Sequence, residues 1–403
     1  MKVNKWTLGL AAVGLVTLPS MNQAEEKASP VMTALSSTTI SGYVNTSMEW
    51  NPGTGNAYVP GFGFNKGKQD GFNLDVVKLS IGRPLDEAQW SAGYQVDLIF
   101  GPDAVAFATS SSGLSSSDFG IKQAYVALRA PVGNGLDFKL GVWDTLMGYE
   151  VFDAGSNPNY TRSYGYTIEP TTHTGLQASY TVSPALSLAA AVCDTFGPTI
   201  NQRANPPKAE SYKAYMGSIT FTAPESMGFL KGSTLSGCVM NGFNSASPAA
   251  SGTNGVQTSF YVGGTINTPV TALKLGAAYD YAMVRGSSSN PSGHVQAASL
   301  YATFQASEKL SFNGRGEYFW QTDGLATPVV GATSPTPSIP GKVLALTGTV
   351  QYDLWKNVLS RLEVRWDHSA NGKDAFGGNF DPAGATADKR NAVLIAANII
   401  YKF

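Results

Sequence analysis

The stretch Lys389-Arg-Asn-Ala-Val-Leu-Ile-Ala-Ala-Asn-Ile-Ile-Tyr-Lys-Phe403 decides how the rest of the chain is read. Val393, Ile395, Ala397, Ile399, Tyr401 and Phe403 recur at every second position, and the intervening set carries Asn398 and Lys402. Side chains of a strand point alternately to opposite faces, so this is a strand with one wholly apolar face and one mixed face. Chain ends of soluble domains are ordinarily frayed and polar. An apolar strand closing on an aromatic residue therefore argues for an apolar medium beside it, against the blander reading of a soluble edge strand.

The same alternation recurs upstream. Trp90, Ala92, Tyr94, Val96 and Leu98 oppose Ser91, Gln95 and Asp97, while Leu310, Phe312, Tyr318 and Trp320 oppose Ser311, Asn313, Arg315 and Glu317. Leu362, Val364 and Trp366 oppose Arg361, Glu363, Arg365 and Asp367. Four charges in one such row cannot belong to a strand buried on both faces, but they can line a lumen while the other face meets lipid. Sixteen strands follow, near 38–50, 72–83, 89–100, 119–130, 136–147, 173–182, 186–196, 211–223, 233–244, 257–268, 272–285, 294–306, 310–323, 342–353, 359–370 and 389–403. Short connections such as 83–86, 131–135, 183–185 and 307–309 alternate with long ones at 51–71, 101–118, 148–172, 197–210, 245–256, 286–293, 324–341 and 371–388. The expected fold is all-β: a transmembrane antiparallel up-and-down β-barrel with short periplasmic turns and long extracellular loops. Lipid offers no hydrogen-bond partner, so the sheet must close.

Bulk composition agrees. Charged residues are 14% of 403, against about 25% in soluble domains, and the net charge is −1. Past the first twenty residues no apolar run approaches the ~20 residues of a spanning helix. Neither nucleic acid nor an anionic surface is implied as a partner. Lys2 and Lys5, the apolar run Trp6–Leu18 and the small polar exit to Ala24 read as a secretory signal peptide over 1–24. A periplasmic lead over 25–37 then precedes the barrel at 38–403. Removing Lys2 and Lys5 from the 27 basic residues leaves 25 against 28 acidic, a charge of −3. Cys193 and Cys238 fall two strands apart, roughly 9–10 Å at ordinary strand spacing, beyond disulfide reach; both are expected as free thiols.

Aromatic residues sort into two belts, as membrane–water interfaces favour. Trp50, Trp320 and Trp366 lie at outer strand ends; Trp90, Phe304, Phe312, Tyr352, Tyr401 and Phe403 lie at inner ends. The terminal strand resembles the closing strand of outer-membrane barrels, in which the final aromatic is part of the signal read by the assembly machinery. By that resemblance the partners are outer-membrane lipid and lipopolysaccharide, the assembly machinery through Phe403, and small polar solutes. A homotrimer is among the assemblies left open, because a subunit interface and a lipid face are equally apolar.

Loop 148–172 is the longest connection. It carries Glu150, Asp153, Arg162 and Glu169 among four tyrosines and Phe152, and long loops with such content tend to be ordered and functional. The run Gly141-Val-Trp-Asp-Thr-Leu-Met-Gly-Tyr-Glu150, then Asn157-Pro-Asn-Tyr-Thr-Arg-Ser163, then Pro170-Thr-Thr-His-Thr-Gly175 resembles the hallmark of the OmpL-like β-barrel porins. The likeness is specific over 136–182. It implies an outer-membrane channel of loosely defined substrate, with Gly148, Tyr149, Glu150, Arg162, Ser163, Pro170, His173 and Gly175 as characteristic loop residues. Thr161 departs from the serine usual before the arginine. In general porins the corresponding loop folds into the lumen.

From these residues a constriction is expected. Asp144, Glu150, Asp153 and Glu169 would face Arg129, Lys139, Arg315, Arg361, Arg365 and Arg162, with Glu317 and Glu363 on the same lumen wall, and set a transverse field that sorts solutes by charge. The alternative is that loop charges are solvated outside while wall charges pair to stiffen the barrel.

Other motifs carry little. Gly61-Phe-Gly-Phe-Asn-Lys-Gly-Lys-Gln69 has the wrong glycine spacing for a phosphate loop. His173, His294 and His368 lack ligand spacing; Asp374, Asp381 and Asp388 lack the compact spacing of a Ca²⁺ loop. The sequons at Asn45 and Asn159 read as chance. No cofactor is expected. A porin, rather than an adhesive barrel, a sheath for a redox partner or a barrel enzyme, is the function this pattern favours; His368 beside Asp367 is the one adjacent acid–base pair, and no nucleophile motif accompanies it.

Overall fold

Sixteen strands close on themselves in a computed structural model that describes residues 31–32, 38–53, 57–60, 68–88, 90–107, 109, 118–203, 211–243, 256–284, 292–322, 341–379 and 386–403. The expected signal peptide, most of the lead at 25–37, Asp381 and most of the long connections at 245–256, 286–293 and 324–341 lie outside the described residues.

A two-residue strand β1 (Val31–Met32) precedes the barrel strands β2 (Thr39–Trp50), β3 (Gly71–Arg83), β4 (Ala92–Phe100), β5 (Phe119–Ala130), β6 (Leu136–Asp144), β7 (Thr172–Ser183), β8 (Leu186–Cys193) and β9 (Ala214–Thr222). The second half comprises β10 (Thr234–Phe243), β11 (Val256–Asn267), β12 (Leu273–Val284), β13 (Gly293–Gln305), β14 (Leu310–Gln321), β15 (Lys342–Trp355), β16 (Val358–Ser369) and β17 (Asn391–Lys402). Each barrel strand pairs antiparallel with its sequence neighbours, and β17 pairs with β2 to shut the sheet, with Ile395 opposite Trp50 and Tyr401 opposite Val44. Gly42 and Phe403 exchange both backbone hydrogen bonds at 3.0 Å at the end of this seam. All sixteen expected strands are present with boundaries shifted by a few residues.

The alternation sorts as the sequence implies. On β17, Ile399 and Tyr401 are exposed on the outside, while Asn398 and Ile400 are buried inside. Outward residues such as Phe72, Leu300 and Leu362 are exposed, as a lipid face requires. Trp50, Trp90, Phe304, Phe312, Tyr352, Tyr401 and Phe403 all stand on that outer surface. Cys193 on β8 and Cys238 on β10 are free and buried, with β9 between them.

The lumen wall has two chemically different sectors. Over β8–β11 it is small and apolar: Ala189, Ala191, Cys193, Ala214, Met216, Cys238, Met240 and Tyr261. From β14 round to β3 it is charged, with Arg315, Glu317, Arg361, Glu363, Arg365, Asp367, Glu49 and Asp75 all buried. Charges at such burial need partners, because an unpaired ion away from water costs several kcal/mol. Some of those partners are neighbours on the wall, as in Arg315–Glu317 and Arg365–Asp367, and the rest come from the loops.

Candidate functional site: a loop bound across the lumen

β6 ends at Asp144, three residues short of the expected limit, because the chain turns inward there. Thr145 N donates to Thr171 O at 2.9 Å and closes the stem of a loop over 145–171. His173 Nε2 meets Thr145 Oγ1 at 3.1 Å, and Trp143 Nε1 donates to Gly175 O at 3.1 Å, so two hallmark positions, His173 and Gly175, fix the stem. Leu146, Met147 and Tyr149 then pack on the apolar sector; Tyr149 stacks on Tyr301 with ring centroids 4.2 Å apart. Gly148 makes this turn at φ +120°, and a Cβ there would lie 2.3 Å from Glu169 Oε2. Only glycine tolerates both conditions.

Beyond the stem the loop shapes itself. Asn157 bonds both N and O of Val151, at 2.9 and 2.7 Å. Arg162 donates to the carbonyls of Val151, Phe152 and Tyr160 at 3.0, 2.6 and 2.7 Å. Ser163 caps a short helix, Tyr164–Ile168, by accepting from Tyr166 N. The charged wall grips the folded loop largely by its main chain. Glu363 accepts from the N–H groups of Tyr160 and Thr161 at 2.6 and 2.9 Å, and Glu317 accepts from Tyr164 N at 2.7 Å. Arg361 donates to the carbonyls of Ala154 and Asn157, Arg365 to that of Arg162 and Arg315 to that of Thr161. Side chains add the Arg315–Glu150 ion pair at 2.9 Å and a bond from Tyr164 OH to Asp367 at 2.8 Å. The four guanidinium groups of Arg162, Arg315, Arg361 and Arg365 are balanced by Glu150, Glu317, Glu363 and Asp367.

Toward β3–β6 the arrangement differs. Asp153 accepts from Tyr43 OH and Lys78 Nζ, both at 3.0 Å, and stands 3.8 Å from Lys122 Nζ. Burial alone would raise the Asp153 pKa, but Lys78 and Lys122 outweigh it and hold the carboxyl well below its usual range. Lys122 pairs with Asp144, and Lys78 with Asp97 at 3.2 Å. A second inward element flanks this cluster: a helix over Pro102–Phe107 buries Phe107 edge-on against Phe152, with centroids 4.7 Å apart, and fixes Asp103 on Lys68. A cavity of about 30 Å³, the volume share of one water in the liquid, remains between Lys122, Asp144, Glu150, Phe107, Phe152 and Tyr166.

Two bulges aim charges into this region. Asn45 pairs with Val76 and Thr46 with Leu74, so Asp75 is the extra residue of β3; Asp97 pairs with Gln123 and Leu98 with Ile121, so Lys122 is the extra residue of β5. Bulges commonly re-aim a side chain in this way. Asp75 and Lys122 are both buried in ion pairs, with Lys68 at 2.8 Å and with Asp144.

The expected residues therefore divide. Glu150, Arg162, Arg315, Glu317, Arg361, Glu363 and Arg365 meet at the docked loop. Asp144 and Asp153 meet at the opposite wall. Glu169 reaches β12 at Asp280. Lys139 lies 4.9 Å over the Tyr125 ring, and Arg129 is held by Asp137 through two bonds of 2.6 Å near the inner turn, away from the loop. The sequence pattern did not single out Lys78, Lys122, Glu49, Asp75 or the helix at 102–107, which sits in the long connection 101–118. Lys78 shares its strand's inward face with Ser80 and was open to the same period-two reading that found Asp97.

The family described as "Putative beta-barrel porin-2, OmpL-like" matches residues 37–403, the whole barrel. Among solved structures, the outer membrane channel DcaP of Acinetobacter baumannii is similar at 14% identity, covering 91% of this chain and 97% of its own, with TM-score 0.55. An anion-selective porin from Comamonas acidovorans is similar at 12% identity, covering 91% and 99%, with TM-score 0.59. OmpT of Vibrio cholerae is similar at 13%, covering 93% and 100%, with TM-score 0.53. At such identities these likenesses speak to the fold, which they share from end to end. No curated protein matches the chain. With the family spanning every barrel strand, the chain belongs to the OmpL-like β-barrel porins, channel-forming proteins of the outer membrane.

Proposed function

We propose that solutes cross through a narrow passage between the docked loop and the β3–β6 wall. Lys78, Lys122 and Lys139 against Asp97, Asp144 and Asp153 then sort small polar solutes and ions by charge. Glu150, Arg162, Arg315, Glu317, Arg361, Glu363 and Arg365 act as the frame that holds the loop aside. Arg129 belongs to the inner mouth, and Glu169 to the loop's return. The observation that carries this reading is the unbroken row of bonds from Ala154, Asn157, Tyr160, Thr161, Arg162 and Tyr164 to β14–β16, which fixes the loop across the lumen. Opposed charges around a narrow path select among permeating ions. The protein reaches its membrane through the periplasm after loss of residues 1–24, works as a passive channel with no catalytic step, and assembles as a homotrimer, a form in which OmpT of Vibrio cholerae has also been solved.

Refolded protein should swell solute-loaded liposomes with a sharp size cutoff. In planar bilayers, Glu150→Gln and Arg365→Gln should each change unit conductance. Wild-type conductance and ion preference in both variants would overturn the assignment of the loop as the passage wall.

A further inference from the structure

The returning end of the loop is held unlike its tip. The tip meets guanidinium groups, whereas Glu169 meets another carboxyl: its side chain is hydrogen-bonded to that of Asp280 on β12, and both residues are buried. Two ionised carboxylates offer only acceptors, so such a bond exists only with one proton between them. The site is shaped for this contact. A Cβ on Gly148 would lie 2.3 Å from Glu169 Oε2, and one on Gly165 would lie 2.5 Å from Asp280 Oδ2.

Lys122 lines the same small cavity as Glu169 but is paired with Asp144, and among the described residues the other groups facing the pair offer no compensating charge. From the loop come Glu150, the Tyr149 N–H and the Tyr166 phenol; from β10 the Cys238 thiol; from β11 the Tyr261 phenol. Tyr301 on β13 donates to Glu150, and Arg315 on β14 is engaged by Glu150 and Glu317 at 2.9 and 2.7 Å. Among the described residues, none of the groups acting on Asp280 is a cation. Asp280 Oδ1 is buried without a donor.

We propose that Glu169 and Asp280 form a proton-sharing latch that positions the returning end of the loop, so that loss of the shared proton frees this end and widens the passage. The proposal rests on the reading of the loop as the wall of that passage. Burial first, and the Asp280 carboxyl second, hold the Glu169 pKa well above the usual carboxylate range. A released glutamate ionises near about 4.3, so above that pH the docked form carries one proton more than the released form. The docking constant then falls about tenfold per pH unit until the latch itself ionises. Glu169 and Asp280 are positioning residues: they act through the loop.

The test combines hydrogen exchange over 163–172 with single-channel recording, on the refolded full chain between pH 5 and pH 10. Exchange rates are corrected for their intrinsic pH dependence. Protection of these amides should fall as pH rises, by up to about tenfold per unit, while unit conductance grows. Asp280→Asn supplies an amide donor in place of the shared proton, so it should flatten both profiles; Glu169→Gln should do the same should the first variant fold poorly. Wild-type protection indifferent to pH, or a variant that keeps the wild-type pH profile, overturns the latch. Protection that falls at constant conductance upholds the latch and overturns the reading of the passage.

Discussion

Nη1 of Arg365, on β16, donates to the main-chain carbonyl of Arg162, on the loop, at 2.7 Å. Two residues of like charge are joined because neither relies on the other for balance. Arg365 holds Asp367 through two bonds of 2.9 Å, and Arg162 is engaged by three loop carbonyls. The wall thus reads the shape of the loop's backbone more than its side chains. Replacing Arg365 by Met leaves Asp367 buried without its cation, a change that costs about 3–5 kcal/mol. The expected result is earlier unfolding on heat-modifiability gels together with a larger unit conductance. The double variant Arg365→Met/Asp367→Leu should regain most of the thermal stability and keep the larger conductance.

Lys122 and Asp144 bear opposite charges beside the same small cavity. A unit charge about 4 Å from a permeating ion is worth ~1 kcal/mol in water, roughly a fivefold bias. Lys122→Gln should therefore move the reversal potential toward cation preference, and Asp144→Asn toward anion preference. Both shifts should shrink in molar salt, where the screening length is about 3 Å.

Phe107 ties the helix at 102–107 to the loop through Phe152. Phe107→Ala removes a fully buried ring, a loss of about 3–5 kcal/mol in a packed core. The ring belongs to a cluster that includes Val76 and Ile99 of the wall but forms no part of the barrel's backbone ladder, so the cost should fall mainly on the helix and the loop. Hydrogen exchange should quicken over 150–154 and 102–109 while the global unfolding temperature moves little.

Asp153 answers to pH in the sense opposite to Glu169. Its folded pKa is depressed by Lys78 and Lys122, so its contribution to loop docking is complete above the free value of about 3.9 and is lost as pH falls below that toward the folded value. Protection of amides near 151–155 should stay constant from pH 8 to pH 5 and decline only below about pH 4. Lys78→Met should lower the protection at neutral pH and make that decline smaller, because the folded pKa rises toward the free value.

The barrel was legible from Lys389–Phe403 onward because a lipid face and a lumen face impose a period of two on every strand. The ends of the strands were less so: Leu146 and Met147 continue the apolar pattern of β6, yet they turn inward to cover Ala189, Ala191 and Met216. Periodicity cannot separate a lipid-facing residue from one packed under a loop. The bulges at Asp75 and Lys122 break the period where the lumen charges converge, so simple alternation misplaces both. Glu150 and Arg315 were named together from sequence and do meet, but Arg361, Arg365 and Glu363 bind loop backbone, which no side-chain pattern announces. Asp280 gave no signal at all, lying alone among Ala278, Tyr279 and Tyr281.

Tyr160 lies on the inner side of the joint between the first and last barrel strands. Its hydroxyl donates to Glu49 on β2, its N–H donates to Glu363 on β16, and its ring packs on Leu394 and Ala396 of β17. A residue from the middle of the chain therefore staples together strands that are more than 300 positions apart in sequence. The sheet cannot unzip sideways at this joint without also tearing the loop from its bed. The final hairpin and the loop therefore hold or fail together.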